Sequence, residues 1–392
     1  MRFRHPDGGL VHLAYCTNAH PAEDLDGVLA QLERFGAPVR ERLGAGRLGL
    51  GLWLAADVAA ELAADPAAVE RLRAGLASRG LEVVTLNAFP YRGFHDPVVK
   101  RRVYSPDWCE PERLRYTLDA AGVLARLLPD DAPYGSVSTL PLAWRTPWGP
   151  ERADAARRML DELAGGLAKL AAETGRAVRV GLEPEPGCVV ESARQAAAAL
   201  RAADPEWIGV CLDLCHLAVG FERPRDALAH LDAAGLPVVK AQASLGLHVE
   251  DPSAVAARER LDGFREPRFL HQVRERAGDG GDGVQAVDDL GEALAGGLPG
   301  RAPWRVHFHL PLHAEPEPPL SSTRADLEDG LAALVGGPAR RTGHIEVETY
   351  TWRVLPERDR PAGDAGLAAG LAAELDWTRD RLHALGLEEV RG

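Results

Sequence analysis

The sequence predicts an α/β fold, a (β/α)8 TIM barrel with an elaborated connection before its last strand. Three observations carry this expectation. Short segments with period-2 alternation recur along the chain, separated by helix-like stretches. Two of them, VRVGLEPEP (178–186) and IGVCLDLCH (208–216), set Val178, Val180, Leu182 and Ile208, Val210, Leu212 on one face. The opposite face holds Arg179, Gly181, Glu183 and Gly209, Cys211, Asp213. Each segment therefore carries an acid near its C-terminal end, where a barrel opens into a polar pocket. Two carboxylates converging there need a cation or protons to relieve their repulsion.

The elements follow in order. HLAYC (12–16) is the first strand; the loop TNAHP leads to a helix over 24–43 that Pro38 bends or ends. RLGLGLWL (47–54) is the second, its leucines alternating with Gly49, Gly51 and Trp53, and a helix over 56–78 ends at Gly80. LEVVTLNAF (81–89) is the third, with Val83, Thr85 and Asn87 on one face. The excursion over 89–111, rich in aromatics and prolines, is longer than an ordinary βα loop. It is either a pocket wall or a surface insertion packed by its own rings. Its Lys100, Arg101 and Arg102 read as a solvated run rather than a phosphate clamp.

A helix over 112–128 leads to GSVSTLPLA (135–143), the fourth strand, and an Ala-rich helix covers 151–174. The fifth and sixth strands are the acid-bearing pair, joined by a helix over 191–203. A helix over 224–234 precedes LPVVKAQAS (236–244), where Val238, Lys240 and Gln242 share a face. Residues 245–303 are insert-like, with a charged helix over 252–275 and a Gly/Asp linker over 277–283. WRVHFHLPLH (304–313) alternates Arg305, His307 and His309 against Val306, Phe308 and Leu310. After a helix over 323–335, GHIEVETYTW (343–352) places His344, Glu346 and Glu348 on one face. A closing helix over 364–385 takes Asp364 as its N-cap. Nine strand candidates exceed the eight that closure requires, so 304–310 is assigned to the connection between strands seven and eight. The whole chain, 1–392, is read as a single domain.

A formal net charge of −13 argues against general affinity for nucleic acid or anionic membrane. The start MRFRHPDGGL lacks the apolar core of a signal peptide, and no apolar run reaches a membrane span. Five cysteines without a C-x-x-C pair suit a reducing, cytoplasmic setting. The partner expected is a small-molecule metabolite.

The pairing of E-P-x-P at one strand end with D-x-x-H at the next resembles the xylose isomerase-like TIM barrels. Further, YCTNAHP (15–21), NAFPYRGFH (87–95), VYSPDW (103–108), STLPLAW (138–144), LEPEPG (182–187), CLDLCH (211–216) and HIEVETYTW (344–352) together resemble EboE. Members of that family are described as metabolite traffic proteins, which implies association with proteins of one pathway. The resemblance implies a divalent metal ion (Mn²⁺, Zn²⁺ or Co²⁺) held by Glu183, Asp213 and a final-strand acid, Glu348 in preference to Glu346. It makes Glu183 and Glu348 the catalytic acid/base pair, and His216 a substrate or metal contact. Where epimerases carry a strand-seven histidine ligand this chain has Gln242, and Glu185 stands where xylose isomerase has its catalytic lysine. His309 or His307 can replace the missing histidine if the surplus strand folds over the pocket.

Asn87, Lys240, His20 and Trp53 complete the pocket as substrate contacts. The competing reading for His20, as for His12 and His95, is an ordinary hydrogen-bonding histidine, and for Trp53 it is packing. Glu183 and Asp213 have a structural alternative, pairing with Arg179 or Lys240 inside the barrel. Three functions stay open: a metal-dependent isomerase, epimerase or lyase; non-catalytic metabolite binding coupled to transport; and phosphodiester cleavage like that of endonuclease IV, which needs a richer metal cluster.

Overall fold

A computed structural model describes residues 1–276 and 283–390. Eight strands pair in parallel in chain order: β1 (Leu10–Cys16), β2 (Leu48–Trp53), β3 (Leu81–Asn87), β4 (Gly135–Thr139), β5 (Val178–Leu182), β6 (Ile208–Asp213), β7 (Val238–Ala243) and β8 (His344–Val347). β8 pairs with β1, Ile345 opposite Leu13 and Val347 opposite Tyr15, so the sheet closes into a barrel. Helices stand between successive strands, and the aliphatic faces of β5 and β6 are fully buried. That burial is what the period-2 pattern encodes.

The inward face is polar in layers. Toward the N-terminal end, Ser136 Oγ bonds Thr85 Oγ1 at 2.8 Å and His344 Nδ1 at 2.7 Å. Midway, the fully buried Lys240 Nζ donates to Glu346 Oε2 and lies 3.5 Å from Ser138 Oγ. Gly51 of β2 leaves room for this pair, since a Cβ there would fall 1.7 Å from Glu346 Oε1. At the C-terminal end Glu183, Asp213 and Glu348 are gathered, with Gln242 in register beside Asp213.

Between β7 and β8 lies a five-stranded antiparallel sheet of Leu247–Val249, Val273–Arg276, Val284–Val287, Trp304–Val306 and Leu320–Ser322. The surplus strand is found here, with Trp304–Val306 between Val273–Arg276 and Leu247–Val249. The insert thus extends past residue 303, to Ser322. The charged helix covers only Val255–Asp262, because Gly263 and Pro267 interrupt it and Val273–Arg276 joins the sheet. The linker expected over 277–283 lies outside the described residues apart from Gly283.

Other helices depart in detail. The first runs through Pro38: a π-helical turn at Leu32–Gly36 shifts the hydrogen-bond ladder just before the proline's missing donor. The second splits into Ala56–Ala64 and Pro66–Ala77, the latter capped by Asp65. Asp364 lies in the first turn of Gly363–Ala384, capped at Ala362, and pairs with Arg34 at 2.6 Å. Lys100 and Arg101 are tied to Asp289 and Asp288 of the insert, and Arg102 to Asp96, so the basic run is paired, not simply solvated. Among the described residues no helix is long and apolar enough to cross a membrane.

Glu374 joins the closing helix to the pocket rim. Its Oε1 accepts the Leu312 N–H at 3.0 Å and the Thr349 hydroxyl at 2.6 Å. Burial pushes this carboxyl up to about 8, so folding favours its protonated form. Because the folded value is raised, the unfolded chain ionises first, and stability falls as pH climbs from about 4.5 toward 8. Glu374→Gln keeps an acceptor without the charge. Its melting temperature relative to the parent should therefore rise between pH 5 and pH 8 in thermal melts; a pH-independent difference would refute the buried-acid assignment.

Candidate metal centre

Glu183 stands one residue past β5, Asp213 ends β6, and Glu348 stands one residue past β8. The Glu183 N–H bonds Thr139 O at 2.9 Å and the Glu348 N–H bonds Ala243 O at 3.1 Å, continuing the barrel ladders and aiming both side chains inward. One oxygen of each of the three carboxylates lies within 4.8 Å of the others. Glu183 and Glu348 therefore converge, although their strands are well separated around the barrel.

The three acids are held differently. Glu348 Oε1 accepts from Asn18 Nδ2 at 2.7 Å and Asn87 Nδ2 at 2.9 Å. Asp213 Oδ1 accepts the Ser244 hydroxyl and the His216 N–H, both at 2.8 Å. Among the described residues, Glu183 Oε2, Asp213 Oδ2 and both amide atoms of Gln242 are buried without a partner. Gln242 is in register with Asp213 on one side and Glu346 on the other. Lys240, the cation nearest below, is already engaged by Glu346. Burial first, then the neighbouring acids, raise Glu183 and Glu348 well above the usual carboxylate range.

Three imidazoles face the acids, two of them brought by the chain that leaves the insert sheet after Val306. His216 Nδ1 lies 2.9 Å from Pro184 O, His307 Nδ1 2.7 Å from Gln272 Oε1, and His309 Nδ1 2.7 Å from Glu348 O. A carbonyl oxygen only accepts, so the Pro184 and Glu348 contacts place the ring proton of His216 and His309 on Nδ1; the Gln272 amide, oriented with its oxygen inward, does the same for His307. The Nε2 lone pairs are then left facing inward. His307 Nε2 lies 3.1 Å from both His216 Nε2 and His309 Nε2. Burial and the adjacent imidazoles keep His307 and His309 neutral, His309 down to about 4. Acceptor facing acceptor at this distance gains nothing without a shared proton or cation. Imidazoles oriented through Nδ1 and partnerless carboxylate oxygens are the donors a divalent ion takes, so the residues fit such a group. Two further groupings within 4.8 Å are Asp213 with His216 and His309, and Cys215 with His307 and His309.

Above these donors lies a cavity. Asn87, Glu183, His216, His307, His309 and Glu348 line it. The 89–111 excursion forms one wall through Phe89, Phe94, Val99 and Tyr104, which decides its reading as a pocket wall. Glu348 rather than Glu346 reaches the cavity, because Glu346 is spent one layer down on Lys240. Three expected substrate contacts need correction. Lys240 is fully buried in that ion pair, while His20 and Trp53 line a separate, smaller cavity. His20 stacks on Phe35 at 4.1 Å, and Trp53 Nε1 donates to Pro90 O at 2.9 Å. Asn18, Ser244 and Gln272 hydrogen-bond Glu348, Asp213 and His307, and nothing in the sequence marks a lone amide or hydroxyl as such a partner.

The fold and site define a (β/α)8 barrel with a polar, donor-rich pocket at the C-terminal ends of its strands. The model of the xylose isomerase-like TIM barrel family matches residues 44–287, and the chain belongs to that family. No curated protein sequence matches it. Similar solved structures include a 3-keto-D-glucoside 4-epimerase from E. coli, at 15% identity over 94% of this chain and 99% of that chain, with a TM-score of 0.45. A second, an IOLI protein with a bound zinc atom, shows 14% identity over 96% and 99%, with a TM-score of 0.48. A xylose isomerase-like TIM barrel protein from Mycobacterium smegmatis in complex with magnesium shows 15% identity over 97% and 94%, with a TM-score of 0.48.

Proposed function

We propose that this chain is a divalent-metal-dependent isomerase or epimerase for a small carbonyl or polyhydroxylated metabolite, and a metabolite traffic protein of the EboE type. The observation that carries the reading is the convergence of Glu183, Asp213 and Glu348 with partnerless buried oxygens on two of them. The EboE assignment rests on motifs spread from residue 15 to residue 352. It brings with it pathway partners and a cytoplasmic site of action.

A divalent ion (Mn²⁺, Zn²⁺ or Co²⁺) in this site supplies Lewis acidity to a substrate carbonyl or its neighbouring hydroxyl. Glu183, Asp213 and Glu348 would hold it, with His216, His309 and Gln242 as further donors. Glu183 is the less restrained acid and is assigned proton removal beside the carbonyl; Glu348, clamped by Asn18 and Asn87, is assigned its return. The aromatic wall limits water access while the proton is held.

The test is solvent exchange. Metal-loaded protein incubated in D₂O with a panel of hydroxyketones should introduce deuterium beside the carbonyl of one class, read by proton NMR, and Glu183→Gln should abolish it. Full metal content with no exchange across the panel would favour a non-catalytic, transport-coupled binding role. The imidazole-rich side of the pocket favours a second reading, hydrolysis of a small phosphodiester, since it enlarges the donor set as that chemistry requires. The negative net charge counts against nucleic acid as its substrate.

A further inference from the structure

The cavity has two unlike halves. Its floor is the carboxylate and imidazole cluster, whereas its walls are apolar. Phe89, Phe94, Val99 and Val103 come from the 89–111 excursion, and Phe269 and Leu270 from the insert. The rings form a connected collar: Phe94 packs on Phe269 at 5.1 Å and on Tyr350 at 5.4 Å, and Phe269 packs on Tyr350 at 4.9 Å.

Most polar groups on these walls are already committed; the exceptions are Asn18 Oδ1, buried without a partner, and the Tyr350 hydroxyl, 3.5 Å from His307 Nε2. The Tyr104 hydroxyl donates to Glu185 Oε1 at 2.6 Å and accepts from Gln272 Nε2 at 3.0 Å. Lys100 Nζ is paired with Asp289. The amide groups of Asn18 and Asn87 donate to Glu348. A polyol seated here would satisfy the oxygens that reach the floor, Asn18 or Tyr350, and strand the rest against hydrocarbon. Each buried hydroxyl without a partner opposes binding. Stacking a sugar ring on the collar leaves the same hydroxyls unmatched at the ring's edge.

We infer that the substrate joins a chelating pair of oxygens to an apolar ring or short hydrocarbon body, and is not a free sugar. This rests on the metal-dependent reading above and narrows its substrate class to the carbonyl side. The chelating pair meets the floor, and the apolar body fills the collar between the excursion and the insert.

Three probes separate the possibilities by isothermal titration calorimetry on Mn²⁺-loaded full-length protein: acetohydroxamate, benzohydroxamate and xylitol. The two hydroxamates present one chelating group and differ in the ring. Benzohydroxamate should bind at least about tenfold more tightly than acetohydroxamate, the scale on which apolar pockets discriminate, and xylitol should bind more weakly than both. Leu270→Asn should erode the advantage of benzohydroxamate while leaving acetohydroxamate binding and metal content unchanged. Equal affinity for the two hydroxamates, or tighter binding of xylitol, would overturn the inference and leave the metal centre standing. Protein that takes up no Mn²⁺ and binds neither hydroxamate would overturn the metal reading and this inference with it.

Discussion

Asp213→Asn should empty the proposed metal centre while leaving the barrel folded. Asp213 belongs to two of the possible ligand groupings, so its loss weakens the donors on both sides of the pocket. Changing a residue that merely orients a ligand typically costs 10–100-fold in metal affinity, so losing this carboxylate should cost at least roughly a hundredfold. The fold is spared because an asparagine oxygen can still accept the His216 N–H that caps the short helix Leu214–Val219. Glu183→Gln should behave alike, having no hydrogen-bonded role among the described residues to forfeit. Inductively coupled plasma mass spectrometry after dialysis, beside circular dichroism melts, gives the answer. Near-stoichiometric metal in the parent and little in either variant is the expected pattern. Folded variants that keep their metal would show the ligand assignment to be wrong.

Lys240→Met should be the most damaging single change to stability. It leaves Glu346 fully buried, with its second oxygen already partnerless, inside a barrel holding three more acids one layer above. Removing one member of a buried ion pair costs about 3–5 kcal/mol, mostly through the charge left behind. The double variant Lys240→Met/Glu346→Leu removes that charge and should recover most of the loss. Denaturant midpoints of parent, single and double variants test this. If the double variant is no better than the single, packing and not charge governs the layer.

How much of this was legible in the sequence depended on which force left a periodic trace. The barrel strands bury an aliphatic face against helices, so Val178 to Leu182 and Ile208 to Leu212 announce themselves by alternation. The same alternation put Glu183 and Asp213 on the inward face, and the strand's polarity chose Glu348 over Glu346. Apart from Trp304–Val306, the short strands of the insert carry no comparable signal. Val273–Arg276 reads VRER, and only its pairing with Trp304–Val306 makes it a strand. His20 and Trp53 were misplaced because one-dimensional spacing locates a residue near the barrel mouth without saying on which side of the rings it falls. The pairing of Lys240 with Glu346 was equally hidden, since it joins residues on different strands that alternation alone cannot connect.

The barrel closes only when His344–Val347 lies beside Leu10–Cys16, and two of the imidazoles arrive on chain beyond residue 306. During synthesis the donors therefore emerge in sequence, Glu183 and Asp213 long before His307, His309 and Glu348. A chain ending before residue 306 lacks the later donors, and the closed barrel is what brings Glu183, Asp213 and Glu348 within 4.8 Å of one another. An ion taken up at the proposed site would therefore report that the barrel has closed.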